Sequence, residues 1–453
     1  MAFALALIAL VVATIAFHFL SPWWFTPIAS NWAMMDQTVH VTFWVTGTVF
    51  VLVNLFMAYA VIRYRHRKGR TEKAHYEPEN KKLEWWLTIV TSVGIAAMLA
   101  PGLAVWAKFV TVPDEAKVVE VLGQQWTWSY RLPGEDGVLG ASHNKLVTLD
   151  NPFGMDPEDP RGRDDVLVTT PELHLPLNQP VKVLLRSRDV NHQYAVPQFR
   201  VKMDSVPGMV TYFWFTPTRT GSFDALCEQL CGVAHFAMRG RVVVDPPKEY
   251  RAWLSQQPTY SQTVAQSKGD PAAGQALFAT CSACHGAQAE GNRELNAPKL
   301  SGQAGWYLAR QLQNFRHEVR ADAKSGDTFG QQMVPMAKTL ADDAAIRNVV
   351  AYIGSLPEAR PATTIGGNPD KGRKIYQTCA SCHGAQGQGI WSTSAPRLAN
   401  MSDWYLARQL QNFRQGIRGR HPQDFNGAQM AEMARTLGDD QAINDLLDYV
   451  HTL

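Results

Sequence analysis

"LCEQLCGVAHFAM", residues 226–238, sets Cys227 and Cys231 four positions apart, His235 four further on and Met238 at the close. Thiolate, imidazole and thioether in one short run select a soft or borderline metal over a hard one. A mononuclear blue-copper site takes two His, one Cys and a weak axial Met, which leaves one cysteine over. Tetrahedral zinc is conceivable, but a thioether serves it poorly. Two thiolates bridging two copper ions use every group, provided a second histidine arrives from elsewhere. "DVNHQYAVPQFRVKMDSVPG", residues 189–208, supplies it in His192. Taken alone, His192 reads as a buried, hydrogen-bonded strand histidine; its surroundings favour the ligand.

The surroundings of that run read as β. Between 117 and 246, "KVVEVLGQQWTWSYRL", "PVKVLLRSRDV", "MVTYFWFTPTRTGSFDALC" and "MRGRVVVD" are short β-branched or aromatic runs broken by Gly, Pro and Asp. They predict a small antiparallel sandwich or barrel. The insertion "DNPFGMDPEDPRGRDD", 150–165, reads as a solvated surface loop, with a calcium loop as the alternative. A polar stretch at 256–268 reads as a linker.

Beyond the linker the chain repeats itself. "CSACHGAQAEGN" returns as "CASCHGAQGQGI" and "GWYLARQLQNFRHEVRA" as "DWYLARQLQNFRQGIRG", both displaced by 98 residues, while "QMVPMAKTLADD" returns as "QMAEMARTLGDD", displaced by 97. Two copies fit a duplicated helical domain, at 269–357 and 366–453, better than a solenoid. Each copy opens on C-x-x-C-H, the spacing that attaches c-type haem. Two thiols add to the vinyl groups and the histidine ligates iron, giving Cys281, Cys284, His285 and Cys379, Cys382, His383. Each copy also offers two methionines three apart, Met333/Met336 and Met430/Met433, for the opposite face. Zinc or thioredoxin-like use of C-x-x-C explains neither the adjacent histidine nor the downstream methionine.

At the other end, residues 1–20, about 39–62 and about 86–108 are apolar enough to cross a bilayer core, and 1–110 reads as a membrane anchor. Arg63, Arg65, Arg67, Lys68, Arg70, Lys73, Lys81 and Lys82 crowd between the second and third, and no Lys or Arg precedes Arg63. The positive-inside rule makes that loop cytoplasmic, so the chain after about 109 emerges on the opposite side, in a bacterium the periplasm of the inner membrane. The first segment lacks a basic n-region and reads as a retained helix, with a cleaved signal as the alternative. Trp23 and Trp24 then fall at the far interface. With 453 residues, a net charge of +3 and all six cysteines spent in metal-type motifs, the chain has room for several domains, no global field for nucleic acid and no thiol left for a structural disulfide.

These motifs carry two resemblances. Residues 271–453 resemble diheme cytochromes of the c4 type through "CHG", "PKL" and "PRL", "YLARQLQNFR" and M-x-x-M-A-x-T-L. In that resemblance the earlier methionine of each pair, Met333 and Met430, is the axial ligand, and Met336 and Met433 are packing residues. Residues from about 38 to 245 resemble subunit II of haem–copper cytochrome c oxidases, through two hydrophobic helices, "QQWTWSY", "DVNHQYAVPQF", "VKMDSVPGM" and "CEQLCGVAHFAM" in that order. The fold class expected is therefore multidomain: transmembrane α-helices, an all-β Greek-key cupredoxin domain and two all-α class I cytochrome c domains. The second resemblance implies the binuclear copper centre CuA, with Cys227 and Cys231 bridging, His192 and His235 each binding one copper, Met238 a weak ligand and Gln229 contributing its carbonyl. Relatives usually carry Glu where this chain has Gln229, and that Glu also reaches a magnesium at the interface with subunit I. A neutral amide is a poorer ligand for a hard cation, which puts magnesium in doubt here. Trp126 aligns with the exposed aromatic through which electrons reach CuA, and Glu84 in "LEWWLT" with the carboxylate at a proton-channel mouth. For Trp126 a core strand position is the plainer alternative.

The function implied is electron input to a membrane cytochrome c oxidase. Electrons would pass from cytochrome c or a quinol:cytochrome c reductase, through two haems c and CuA, to a separate subunit I that reduces oxygen to water with proton translocation. Partners would be subunit I, other oxidase subunits and membrane lipid. The alternative is the small subunit of a CuA-containing nitric oxide reductase; a free shuttle and a copper-delivery protein are the non-enzymatic rivals.

Overall fold

The computed structural model describes residues 1–21, 26–66, 78–265, 268–358 and 360–453. Trp23, Trp24, Arg67, Lys68, Arg70 and Lys73 lie outside the described residues.

Three apolar helices lead: α1 (Ala2–Leu20), α2 (Ala33–Tyr64) and α3 (Lys81–Val110), each long and apolar enough to cross a membrane. The second and third overrun the spans expected from hydropathy at both ends. At 32 residues α2 is about 48 Å long, well beyond a ~30 Å hydrocarbon core. The surplus ties the helices to the β domain. Trp32, 1% exposed, donates to the Trp214 carbonyl at 2.9 Å, Asp36 at the start of α2 accepts from Arg200 at 2.7 and 2.9 Å, and the Lys108 carbonyl of α3 accepts from Trp214 Nε1 at 3.1 Å.

The β domain holds β1 (Lys117–Gln124), β2 (Thr127–Leu132), β3 (Val166–Val168), β4 (Glu172–Pro176), β5 (Val181–Ser187), β6 (His192–Val196), β7 (Val201–Ser205), β8 (Thr211–Phe215), β9 (Gly221–Cys227) and β10 (Arg239–Asp245). They form two five-stranded sheets, β3-β2-β1-β5-β8 and β4-β10-β9-β6-β7. The expectation of a purely antiparallel sandwich is corrected in one respect: β1 pairs β5 and β4 pairs β10 in parallel. Alternation of buried Val181, Val183 and Leu185 along β5 turns one face of the first sheet onto Leu173, Leu175, Val242 and Val244 of the second.

One reading of the connections is also corrected. In the 150–165 insertion, Phe153 and Met155 are buried with Leu122, Leu167 and Tyr260, so it is a packed flap. Two of its acids pair with arginines, Asp165 with Arg131 at 3.0 Å and Asp159 with Arg161 at 2.8 Å. The expected linker is anchored as well. After α4 (Pro247–Leu254) and before the short α5 (Tyr260–Ala265), the Pro258 carbonyl accepts from Leu167 N at 2.9 Å and Tyr260 N donates to Asp165 at 2.8 Å. Polar composition marked the segment as a connection, but the aromatic ring at 260 pins it to the sheet.

The tail is α6 (Pro271–His285), α7 (Gly305–Arg316), α8 (Thr328–Lys338) and α9 (Asp343–Ser355), then α10 (Pro369–His383), α11 (Asp403–Arg414), α12 (Phe425–Arg435) and α13 (Asp440–Thr452). Side-chain caps Asp270 and Asn368 with Pro at the first turn start α6 and α10 identically. In each copy the first and last helices cross at a glycine: a Cβ on Gly274 would lie 2.0 Å from the Asn348 carbonyl, and one on Gly372 1.9 Å from that of Asp445.

Candidate metal and electron-transfer site

The pairing of β6 with β9 sets Tyr194 opposite Cys227 and so carries His192 to the 226–238 loop. Cys227 Sγ lies 3.8 Å from Cys231 Sγ, 3.9 Å from His192 Nδ1 and 3.2 Å from the Gln229 carbonyl. Cys231 Sγ lies 3.5 Å from His235 Nδ1 and 3.8 Å from Met238 Sδ. All six expected groups therefore converge. Among the described residues, His192, Cys227 and Cys231 are the group of three whose ligand atoms lie within 4.8 Å of one another, and all three are buried.

A hydrogen bond from Cys231, with help from His192, pulls the Cys227 thiol down to about 3, while its negative neighbour and burial push the Cys231 thiol up. The first proton leaves readily and the second is held, so a dithiolate needs cations to exist here. The donor set fits two copper ions. The Gln229 carbonyl turns inward while its residue and Glu228 stand exposed, and Glu228 faces Lys202 at 3.5 Å.

Asp189, which the sequence reading passed over, organises the site's edge. Its Oδ1 meets His192 Nε2 at 2.9 Å, leaving Nδ1 toward the thiols, and its Oδ2 accepts from Gln125 N at 2.7 Å. Gln125 precedes Trp126, in the turn joining β1 and β2. Trp126 Nε1 and Gln125 Nε2 both donate to the Cys231 carbonyl, at 3.2 and 2.7 Å. Trp126 is only 4% exposed and belongs to the buried core of the β domain, from a turn and not from a strand, so it is not the open aromatic that the resemblance implies.

What covers Trp126 is the second helical copy. A cavity there is lined by Trp126 and Ala234 on one side and by Cys379, Cys382, His383, Met430 and Met433 on the other. Gln429 Nε2 donates to the Trp126 carbonyl, and stands 3.3 Å from the Ala237 carbonyl. Cys382 and Met433 pack on the β-domain core. The matching cavity of the first copy is lined by Cys281, Cys284, His285, Met333 and Met336.

Both cavities fit haem. His285 Nδ1 and His383 Nδ1 are tied to the Pro298 and Pro396 carbonyls at 2.8 and 2.7 Å, and burial holds both imidazoles below their ordinary value, neutral and with Nε2 free for a ligand bond. Met333 packs with Phe315 and Met430 with Phe413, whereas Met336 is 41% exposed. Between the cavities lies a near-two-fold cluster. Arg320 reaches Gln311, Tyr405 and Gln409 at 2.7–3.0 Å, and Arg418 reaches Gln409, Tyr307 and Gln311 at 2.8–3.0 Å. These partners are neutral, and both Nε atoms are buried without one. Two buried guanidiniums with neutral hydrogen-bond partners, Arg418 having the Asp424 carboxylate near it, are a donor set that fits haem propionates. Glu84, by contrast, lies exposed in the first turn of α3, remote from this assembly.

Residues 117–245 match the family described as cytochrome c oxidase subunit II, periplasmic domain, and residues 271–357 and 369–453 match the cytochrome c family. The chain is 57% identical over 261 residues to the alternative cytochrome c oxidase subunit 2 of Bradyrhizobium diazoefficiens, covering 58% of this chain and 94% of that one. It is 31% identical over 239 residues to the cytochrome c oxidase subunit 2 of Cereibacter sphaeroides, covering 51% and 77%. Among solved structures, reduced recombinant cytochrome c4 from Pseudomonas stutzeri is 28% identical, covering 41% of this chain and 99% of that one with a TM-score of 0.33.

Proposed function

From a chain that belongs to the cytochrome c oxidase subunit II family and ends in two cytochrome c domains, we propose an electron-input subunit whose path runs from the haem domains to CuA and on to a separate haem–copper subunit I. Haem c in each cytochrome domain and a copper pair in the 226–238 loop, when bound, supply reversible one-electron carriers. The protein's contribution is to hold and connect them. Cys281 with Cys284, and Cys379 with Cys382, would provide the attachment thiols, and His285 with Met333, and His383 with Met430, would ligate the iron. Cys227, Cys231, His192, His235, Met238 and the Gln229 carbonyl hold copper.

The observation that carries this reading is Trp126. Its ring lines the second haem cavity while its Nε1–H binds the carbonyl of Cys231, so one side chain joins the two sites. Glu84 remains the proposed carboxylate of a proton channel, magnesium is assigned no role, and no residue of this chain is proposed to bind oxygen. The three apolar helices anchor the chain in the membrane. We place it in a bacterial inner membrane with the copper and haem domains in the periplasm. Subunit I and other oxidase subunits would be its assembly partners, and cytochrome c or a quinol:cytochrome c reductase its donor.

The test is gas consumption by the complex isolated through this chain, with oxygen and nitric oxide supplied separately. Cyanide-sensitive oxygen uptake without comparable nitric oxide turnover is expected. Nitric oxide removal with little oxygen uptake would reject the oxidase assignment.

A further inference from the structure

The two cytochrome domains are near copies, but they present the same face to different surroundings. On the second, this face is covered by the β domain. Trp391 lies under Arg188 at 5.4 Å, the Ser392 carbonyl accepts from Gln124 at 2.6 Å, Phe425 lies under Arg241 at 5.0 Å, and Cys382 and Met433 pack on the β-domain core. On the first domain, the equivalents 98 or 97 residues earlier are Arg293, Glu294, Thr328, Cys284 and Met336. Cys284, Arg293 and Glu294 are exposed, Met336 is 41% exposed, and neighbouring Leu295 is 49% exposed. The repeat has thus diverged at its contact loop, "WSTS" at 391–394 against "RELN" at 293–296, and the diverged copy leaves its cavity rim open.

We infer that this open face of the first cytochrome domain is the docking port for a separate one-electron carrier protein, so that electrons reach the chain at the first haem domain and leave by the second. The inference rests on the electron-input reading above. The occupant is argued from the covered copy: there the same rim, with a thioether cysteine and a methionine at its centre, seats a protein surface carrying a redox site. Charge narrows the partner further. Arg293 and Glu294 are adjacent and opposite, so the contact loop 293–296 carries no net charge of its own. It suits a carrier with a small, near-neutral apolar patch around its own redox centre. Trp126, under the second domain, is closed to such a carrier.

The test uses the intact complex under anaerobic conditions, mixed rapidly with a reduced small soluble cytochrome c, and in parallel with ascorbate and a small redox dye. Leu295→Asp should cut the cytochrome-driven bimolecular rate at least about fivefold, as losing a central apolar anchor does. Dye-driven reduction and the haem absorbance should stay unchanged, and the cytochrome-driven rate should depend weakly on salt. Val138→Asp, equally exposed at 46% but on the β domain, should change nothing. Leu295→Asn should give a smaller loss of the same kind, should the aspartate prevent folding. An unaltered cytochrome-driven rate in both Leu295 variants, or an equal loss in Val138→Asp, would overturn the port while leaving the electron-input reading intact. Failure of dye-driven electrons to reach copper in the unaltered complex would overturn that reading, and the port with it.

Discussion

Trp126 owes its position to two residues at its back. Gly232 has φ +124°, and a Cβ there would lie 2.9 Å from the Trp126 ring. Asp189 holds the backbone just before it while fixing His192. Trp126→Phe keeps a ring but loses the bond to Cys231. Copper reduction following haem reduction should therefore slow by roughly tenfold, the equivalent of one hydrogen bond's ~1.4 kcal/mol, in rapid-mixing absorbance traces, while the haems fill at the normal rate. Asp189→Asn acts on the metal instead. Losing a carboxylate behind a ligating histidine costs roughly 10–100-fold in metal affinity, to be read as copper retained against a competing chelator. Normal retention would show that Asp189 serves only the Gln125 turn.

Among the elements, the β4–β10 pair and the α10–α13 crossing each have one sensitive point. His174 on β4 stacks on Trp253 of α4 and sits between Asp245 Oδ2 at 2.5 Å and Glu172 Oε1 at 3.4 Å, with Arg241 beside Glu172 at 3.6 Å. Burial lowers its basicity, but the two carboxylates outweigh burial and raise it above the ordinary value. A raised histidine stabilises the fold fully below its unfolded pKa of about 6.5 and loses that contribution as pH rises through the folded value. The β domain should therefore unfold at progressively lower temperature above pH ~6.5, and Asp245→Asn should flatten that slope. At the crossing, Gly372→Ala drives a methyl into the Asp445 carbonyl, which should destabilise the second cytochrome domain by about 1–3 kcal/mol. Calorimetry should show that loss without a shift in the β-domain transition.

The whole molecule is a chain of contacts from the membrane helices, through the β domain, to the second and then the first cytochrome domain. Its sharpest consequence concerns the covering of Trp126. A chain ending after Ala265 keeps Tyr260 packed on Phe153 and Met155 but uncovers Trp126. Copper should then become reducible directly by a soluble cytochrome c, whereas in the full chain a block at the haems should stop it. Equal rates in both forms would mean that the second domain does not occlude the site in solution.

Local chemistry was legible before any fold was known. C-x-x-C-H, the Cys227 to Met238 run and the 98-residue repeat are statements about neighbours along the chain, and a helical turn or a tight loop turns such spacing into proximity. His192 could be named too, because a strand of that composition has to pair somewhere. Gln429 and the Arg320–Gln409 and Arg418–Gln311 pairs could not, because each acts across 89 or more residues; Asp189 stands only three residues before His192, but its second partner, the Gln125 N–H, lies 64 residues away. The apolar helices, the groups that converge on the 226–238 loop and the duplication were determined by the sequence. Which cytochrome domain packs against the 226–238 loop, and that Trp126 is covered, was decided only by tertiary packing. Two domains of one repeat share their helices and motif spacing, so those motifs cannot say which copy packs on the β domain; only the surface each one buries does.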